Sequence, residues 1–225
     1  TYAAPTIDAG PNTAVCLGSS TTLTGTGGVT YVWSPGVGLS CTSCTSPVAT
    51  PGTTTIFTVT GTDAFGCRNT DTVRVTVRSL PLVDGGPHHT VCLGTGATLT
   101  PSGGVTYIWS PGTGLSCTSC TSPVATPGST IIYTVTGTDA NGCRNTDTVS
   151  ISVNPLPIIS AGAPADICVG GSTTLSPSGG VSYVWTTGMG LSCSSCTSPV
   201  VTPTVTSLYT VIGTDANGCQ NTASV

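Results

Sequence analysis

Lysine and glutamate are missing from this chain of 225 residues, and charged residues make up only 5% of it. The charge that exists is carried by eight aspartates and four arginines, a net of −4 spread along the chain. Water-exposed helices draw on Ala, Leu, Glu, Lys and Gln for propensity and surface charge, so a composition without two of these argues against a helical fold. No basic patch exists, which excludes a nucleic-acid partner. No apolar run approaches the ~18 residues of a membrane-spanning helix. Neither an initiator Met nor a signal-peptide pattern opens the chain, so it reads as a mature or excised segment. No Ser/His/Asp or Cys/His arrangement recurs, which removes the usual basis for nucleophilic catalysis. No Asn-x-Ser/Thr sequon is present.

What is there in quantity is Thr, Ser, Val and Gly, with 17 prolines as punctuation. That mixture suits strands and tight turns, and regularly spaced Val, Leu, Tyr and Trp can supply a core. An all-β chain is expected.

Self-comparison shows one motif three times. Cys16, Cys92 and Cys168 recur at intervals of 76 residues, as do Trp33, Trp109 and Trp185, and Cys67, Cys143 and Cys219. Pro5, Pro81 and Pro157 keep the same interval, with no insertion between these markers. The copies are therefore 5–80, 81–156 and 157–225. Val225 corresponds to Val73 and Val149, so most of the third copy's last strand is absent. A piece of a longer array is the expected explanation; the alternative is a strand supplied by another chain.

In the first copy, Thr21–Thr24 reads as a strand, Gly25–Gly28 as a turn, and Val29–Ser34 as a second strand with Val29, Tyr31 and Trp33 on one face. Ser46–Thr50 begins beside a proline and reads as an edge strand. Thr54–Thr62 is a long strand that turns at Asp63–Gly66. Asp71–Val77 alternates, with Val73, Val75 and Val77 inward and Thr72, Arg74 and Thr76 outward. Six or seven short strands around one buried Trp describe a small β-sandwich. A domain of that size is marginal without cross-links.

Three runs carry a resemblance: Gly28-Val29-Thr30-Tyr31-Val32-Trp33-Ser34-Pro35-Gly36, Pro47-Val48-Ala49-Thr50-Pro51, and Phe57-Thr58-Val59-Thr60-Gly61-Thr62-Asp63-Ala64-Phe65-Gly66-Cys67. Together they resemble the PKD-like immunoglobulin-fold repeats, more narrowly those of large Bacteroidota surface adhesins exported by type IX secretion. The likeness covers essentially the whole chain, including the joint Asn154-Pro155-Leu156-Pro157. It implies a seven-strand sandwich for each copy, hence three tandem immunoglobulin-like sandwiches in an elongated array, a cell-surface location, a spacer or adhesive role and no catalytic residues. The family's Trp-Asp-Phe-Gly-Asp core phrase is absent, so a ligand role tied to it does not carry over.

Each copy holds four cysteines: Cys16, Cys41, Cys44 and Cys67, then Cys92, Cys117, Cys120 and Cys143, then Cys168, Cys193, Cys196 and Cys219. Twelve cysteines in an extracellular-looking β array read as disulfides. A zinc site is the rival, but it ordinarily takes two Cys-x-x-Cys knuckles where each copy has one. The default pairing is a local Cys41–Cys44 ring with Cys16 bonded to Cys67. In a sandwich of this order, however, a strand would hold Cys16 and Cys67 roughly 20 Å apart, against a Cα–Cα limit of about 7 Å. The alternative pairing crosses between copies, Cys16 to Cys143 and Cys92 to Cys219, and leaves Cys67 and Cys168 for neighbours outside the segment.

Asp63, Asp139 and Asp215 recur in Gly-Thr-Asp-Ala-x-Gly and read as hairpin residues whose carboxylates accept backbone N–H bonds. Calcium would need several converging oxygens, and only one acid recurs there. His88 and His89 align with Asn12-Thr13 and Pro164-Ala165, so a surface strand pair is expected and not a metal site. Tyr31 and Trp33 read as core residues, not as a sugar platform. Thr72 and Thr148, in Asp-Thr-Val, resemble the O-glycosylation acceptor pattern of Bacteroidota and are candidate acceptors.

No cofactor and no metal are expected, and the chain reads as a non-enzyme. Its expected role is an extracellular stalk or filament segment at the cell surface, stiffened by short proline joints. Each copy would advance such a rod by roughly 30–40 Å. Its partners would be neighbouring repeats of the same or adjacent chains, with surface glycans or other cells as candidate targets. The alternatives are a filament subunit completed by strand exchange, and a carbohydrate-binding module of a secreted enzyme.

Overall fold

A computed structural model describes residues 2–186 and 189–225. Thr- and Val-rich runs broken by glycine and proline give strands throughout, and no helix forms among the described residues. No helix is therefore long and apolar enough to cross a membrane.

The first copy forms β1 (Thr13–Cys16), β2 (Thr21–Thr22), β3 (Thr30–Ser34), β4 (Val48–Ala49), β5 (Thr55–Thr62) and β6 (Arg68–Arg78). One sheet has the order β1-β6-β5-β3, and β2 pairs with β4 in a second. Strand β1 lies parallel to β6, with Thr13 opposite Val75 and Cys16 opposite Arg78. Strands β5 and β6 form a long antiparallel hairpin, and β3 flanks β5. Leu23 and Ala49 from the β2–β4 side meet Trp33, Phe57, Val59, Val73 and Val75 from the other sheet in a single core. A first strand parallel to the last, beside antiparallel partners, with a small second sheet closing the core, is the immunoglobulin-like sandwich.

The second copy repeats the plan with β7 (His89–Cys92), β8 (Ala97–Thr98), β9 (Thr106–Ser110), β10 (Val124–Ala125), β11 (Ile131–Thr138) and β12 (Arg144–Asn154). Its sheets are β7-β12-β11-β9 and β8–β10, and β7 is again parallel to the end of β12. The third copy forms β13 (Thr173–Thr174), β14 (Ser182–Trp185), β15 (Val200–Val201), β16 (Thr210–Thr214) and β17 (Gln220–Ser224), in sheets β14-β16-β17 and β13–β15. No counterpart of β1 forms there among the described residues, and an open groove of about 750 Å³ lies beside Ile167, Val169, Leu208 and Val225. By compactness the chain divides into a unit of Thr1–Asp84, Ser102–Tyr107 and Thr136–Thr146 and a unit of Gly85–Pro101, Ile108–Val135 and Asp147–Val225.

Three details differ from the expectation of the alternating pattern. Val29, expected to face inward with Tyr31 and Trp33, is 66% exposed. The Tyr31 hydroxyl closes that end of the core instead, accepting from Gly28 N and donating to Gly28 O. Strand β6 starts at Arg68, three residues before the alternation becomes visible, because it continues directly from the hairpin. Strand β1 forms outside the expected strands, since Val15 is its one buried side chain and gives no alternation to read.

Gly27 fixes the turn into β3. Its φ is +84°, and a Cβ there would lie 1.8 Å from the Thr6 carbonyl oxygen, a backbone atom that cannot swing away. The equivalent clash distances at Gly103 and Gly179 are 1.7 and 1.9 Å. Gly27→Ala is therefore expected to destabilise the first unit by more than about 2 kcal/mol, combining left-handed strain with backbone displacement. Urea unfolding of the variant beside the parent protein would measure it.

Candidate functional site

The feature that recurs with the most chemistry is the place where one copy's strand end meets the next copy's hairpin. Cys16 is the last residue of β1, and the backbone around it is pinned: Leu17 N donates to Arg78 O at 2.8 Å and Ser19 N to Cys16 O at 2.8 Å. On the other side, the Asp139 carboxylate accepts the N–H groups of Asn141 and Cys143, both at 2.8 Å. Asp139 N also donates to Cys143 O at 2.9 Å, so the hairpin presents the Cys143 sulfur from a fixed base. Cys16 and Cys143 are joined by a disulfide, with Cα atoms 5.5 Å apart. The Arg78 guanidinium donates to the Asn141 side-chain oxygen alongside the bond.

The same construction recurs one period later. Cys92 ends β7, Leu93 N donates to Asn154 O at 2.8 Å, and Cys92 is bonded to Cys219 with a Cα separation of 5.4 Å. Asp215 accepts from Asn217 N and Cys219 N as Asp139 does. Both hairpin cysteines, Cys143 and Cys219, are 0% exposed.

The default pairing of Cys16 with Cys67 is thus replaced by the cross-copy pairing. The reason is strand length. Cys67 immediately precedes β6, while Cys16 lies opposite its last residue, Arg78. Such a strand holds the two on the order of 30 Å apart, far beyond disulfide reach. Cys67 and Cys168 carry free thiols, half-buried and exposed respectively. The local rings Cys41–Cys44, Cys117–Cys120 and Cys193–Cys196 are present. Trp33 Nε1 donates to Cys44 O at 3.0 Å and Trp109 Nε1 to Cys120 O at 3.2 Å, so the first two rings each hold an acceptor for a core tryptophan, whereas Trp185 Nε1 is buried without a partner among the described residues.

A recurring clamp on the joints lies outside the sequence expectations. Asn69 Nδ2 donates to Pro5 O, Asn145 Nδ2 to Pro81 O and Asn221 Nδ2 to Pro157 O, at 2.9, 3.0 and 2.9 Å. The signal was available as an Asn-Thr pair two residues after each hairpin cysteine, in all three copies. These bonds hold the proline that opens each copy against that copy's last strand.

The Asp63 carboxylate accepts Phe65 N and Cys67 N at 2.9 Å, so the recurrent acid serves its own hairpin. Among the described residues, no three His, Cys, Asp or Glu side chains converge in a way that could hold a metal ion. His88 Nδ1 accepts from Ser150 N at 3.0 Å, where Asn12 Oδ1 accepts from Arg74 N in the preceding copy. His88 therefore replaces an asparagine in a strand-edge bond. Trp33, Trp109 and Trp185 are buried, and Tyr31 with them.

Asp71 Oδ2 accepts Ala9 N at 2.8 Å, and Asp147 Oδ2 accepts Gly85 N at 2.8 Å. The Ala9 N–H, then that of Thr72, holds the Asp71 carboxyl below its ordinary value of 3.8. For Asp147 the donors are Gly85 and Thr148. A depressed folded-state pKa gives stability that is fully present above the unfolded value and lost as the pH falls through the folded one. The urea midpoint of the protein is accordingly expected to drop as the pH is taken below 3.8. Asp71→Asn should lower the midpoint at neutral pH and flatten the decline on the acid side.

No family model matches the sequence, and no curated protein matches it. Solved structures give distant likenesses alone. The N-terminal eight immunoglobulin domains of Down syndrome cell adhesion molecule align over 98% of this chain and 36% of theirs, at 16% identity and a TM-score of 0.42. Extracellular domains 3–5 of Drosophila OTK align over 96% of this chain and 93% of theirs, at 10% identity and TM-score 0.37. Sidekick-1 immunoglobulin domains 1–4 align over 98% and 75%, at 12% identity and TM-score 0.33. The chain thus spans about a third of the length of the first of these. At such scores and identities the likeness adds nothing to the fold read from the strand order, and no function follows from it.

Proposed function

We propose that this chain is an extracellular structural or adhesive segment, in which the copies 5–80, 81–156 and 157–225 act as successive sandwiches of a stiff stalk or filament at the cell surface. The observation that carries the reading is the pair of disulfides running from each copy into the next, Cys16–Cys143 and Cys92–Cys219. Bonds of this kind form and persist in oxidising, extracellular surroundings. They resist separation of neighbouring copies, which is what a load-bearing spacer requires. The asparagine clamps on Pro5, Pro81 and Pro157 support the same reading, because they limit bending at the joints. Neighbouring repeats are then its first partners, with surface glycans or other cells as targets at the level of the parent protein. Thr72 and Thr148 are both exposed and remain our candidate O-glycosylation acceptors. An intact mass equal to the bare sequence in the native host would remove them.

Small-angle scattering tests the stalk. A maximum dimension of roughly 100 Å or more, from three sandwiches each about 30–40 Å long, would support it, and a compact particle would end it. A second reading is completion of the third copy by a neighbour's strand. It requires concentration-dependent oligomers that survive reduction. A carbohydrate-binding role loses its basis, since the three tryptophans a sugar would stack on are buried.

A further inference from the structure

The two bridges across copies follow one rule: a cysteine ending the first strand of one copy joins the hairpin cysteine of the next, always at a separation of 127 residues. By the 76-residue period Cys168 holds the third strand-end position, although no strand forms there among the described residues, and Cys67 holds the first hairpin position. They carry the two free thiols, and they are of opposite kinds. Burial separates the bonded members from the free ones. The bonded hairpin cysteines are 0% exposed, whereas Cys67, at the same position of the same hairpin, is half-buried. Cys16 and Cys92 are half-buried, whereas Cys168 is exposed.

A second observation bears on the Cys67 hairpin independently of its sulfur. Tyr2 stacks on Phe65 with ring centroids 4.2 Å apart and planes 9° from parallel. By the 76-residue period Tyr2 corresponds to Arg78, and Phe65 to Asn141, the pair that meets beside the Cys16–Cys143 bond. The tip of the first hairpin is therefore already met by a residue holding the place of a preceding copy's last strand.

We infer that Cys168 and Cys67 are complementary half-links, each built to bond a cysteine of the other kind on an adjoining copy of this same repeat. Cys168 takes a hairpin cysteine and Cys67 takes a strand-end cysteine, and a second molecule of this chain added head to tail can supply both. The two thiols together lose two protons and two electrons to a disulfide oxidant, which leaves as two thiols. The inference rests on the repeat-array reading and adds to it a covalent polarity.

The test uses the full chain in two variants, Cys67→Ser, which keeps Cys168, and Cys168→Ser, which keeps Cys67. Neither residue is in the core, so both variants are expected to fold. One is isotopically labelled, the two are mixed in a buffer of oxidised and reduced glutathione, and the dimers are mapped by mass spectrometry. The Cys168–Cys67 dimer is expected to exceed the like-with-like dimers about tenfold, because docking raises the effective concentration of the correct pair alone. Each variant by itself should stay monomeric, and the parent chain should give a ladder of reducible oligomers. Equal amounts of like and unlike dimers, or no dimer at all, would overturn the inference. The same maps report Cys16–Cys143 and Cys92–Cys219. Their absence would remove the array reading itself, whereas their presence without the unlike dimer would remove this inference alone.

Discussion

Replacing Cys16 and Cys143 together by serine is expected to cost the first unit about 3–5 kcal/mol, the amount associated with opening a loop of this length. The bond spans 127 residues, so its loss frees a large part of the unfolded chain. Cys143 is also fully buried, and a serine hydroxyl placed there must find a partner or bear a desolvation cost. The double variant is the appropriate one, since either single change leaves a reactive thiol behind. Removing the local ring instead, with Cys41→Ser and Cys44→Ser, should cost less, on the order of 1–2 kcal/mol, because a separation of three residues constrains little of the unfolded chain. Guanidinium unfolding of the two double variants beside the parent protein gives the comparison. A local-ring loss equal to the cross-copy loss would contradict the view that the long bridges carry the stability.

Trp33→Ala is expected to be as damaging, at about 3–5 kcal/mol. The indole lies at the centre of a core that includes Leu23, Ala49, Phe57, Val59, Val73 and Val75. Small sandwiches have few other apolar residues with which to fill the space. The substitution also leaves the Cys44 carbonyl without its indole donor. Thermal unfolding followed by near-ultraviolet circular dichroism would report both the lower midpoint and the loss of one tryptophan environment. Trp33→Phe should recover part of the packing and none of that hydrogen bond.

Much of this architecture is visible in the residues because the strands alternate and the copies repeat. Val73 and Val75 turn inward as their spacing requires, and Tyr31 and Trp33 fill the core as residues of a central strand should. What escapes the pattern is short or non-local. Strand β1 has one buried side chain and is defined by backbone bonds to β6, sixty residues away, which local periodicity does not encode. Val29 obeys the alternation and still points to water, because a tyrosine hydroxyl two residues on claims the end of the core. The disulfide pairing shows the same limit. Spacing allowed several connections, and the length of β6 decided between them. The Asn69, Asn145 and Asn221 clamps repeat as faithfully as the cysteines, yet a polar residue on a strand carries no visible sign of the carbonyl it will meet.

The two long bridges overlap: Cys92 lies within the segment closed by Cys16 and Cys143, and Cys143 within the segment closed by Cys92 and Cys219. Every peptide bond between Cys16 and Cys219 is therefore spanned by at least one sulfur link. A single proteolytic cut anywhere in that stretch leaves two fragments that remain one molecule until a reductant reaches them. Severance there demands either two suitably placed cuts or a change of redox conditions, a redundancy familiar from laced rather than threaded construction.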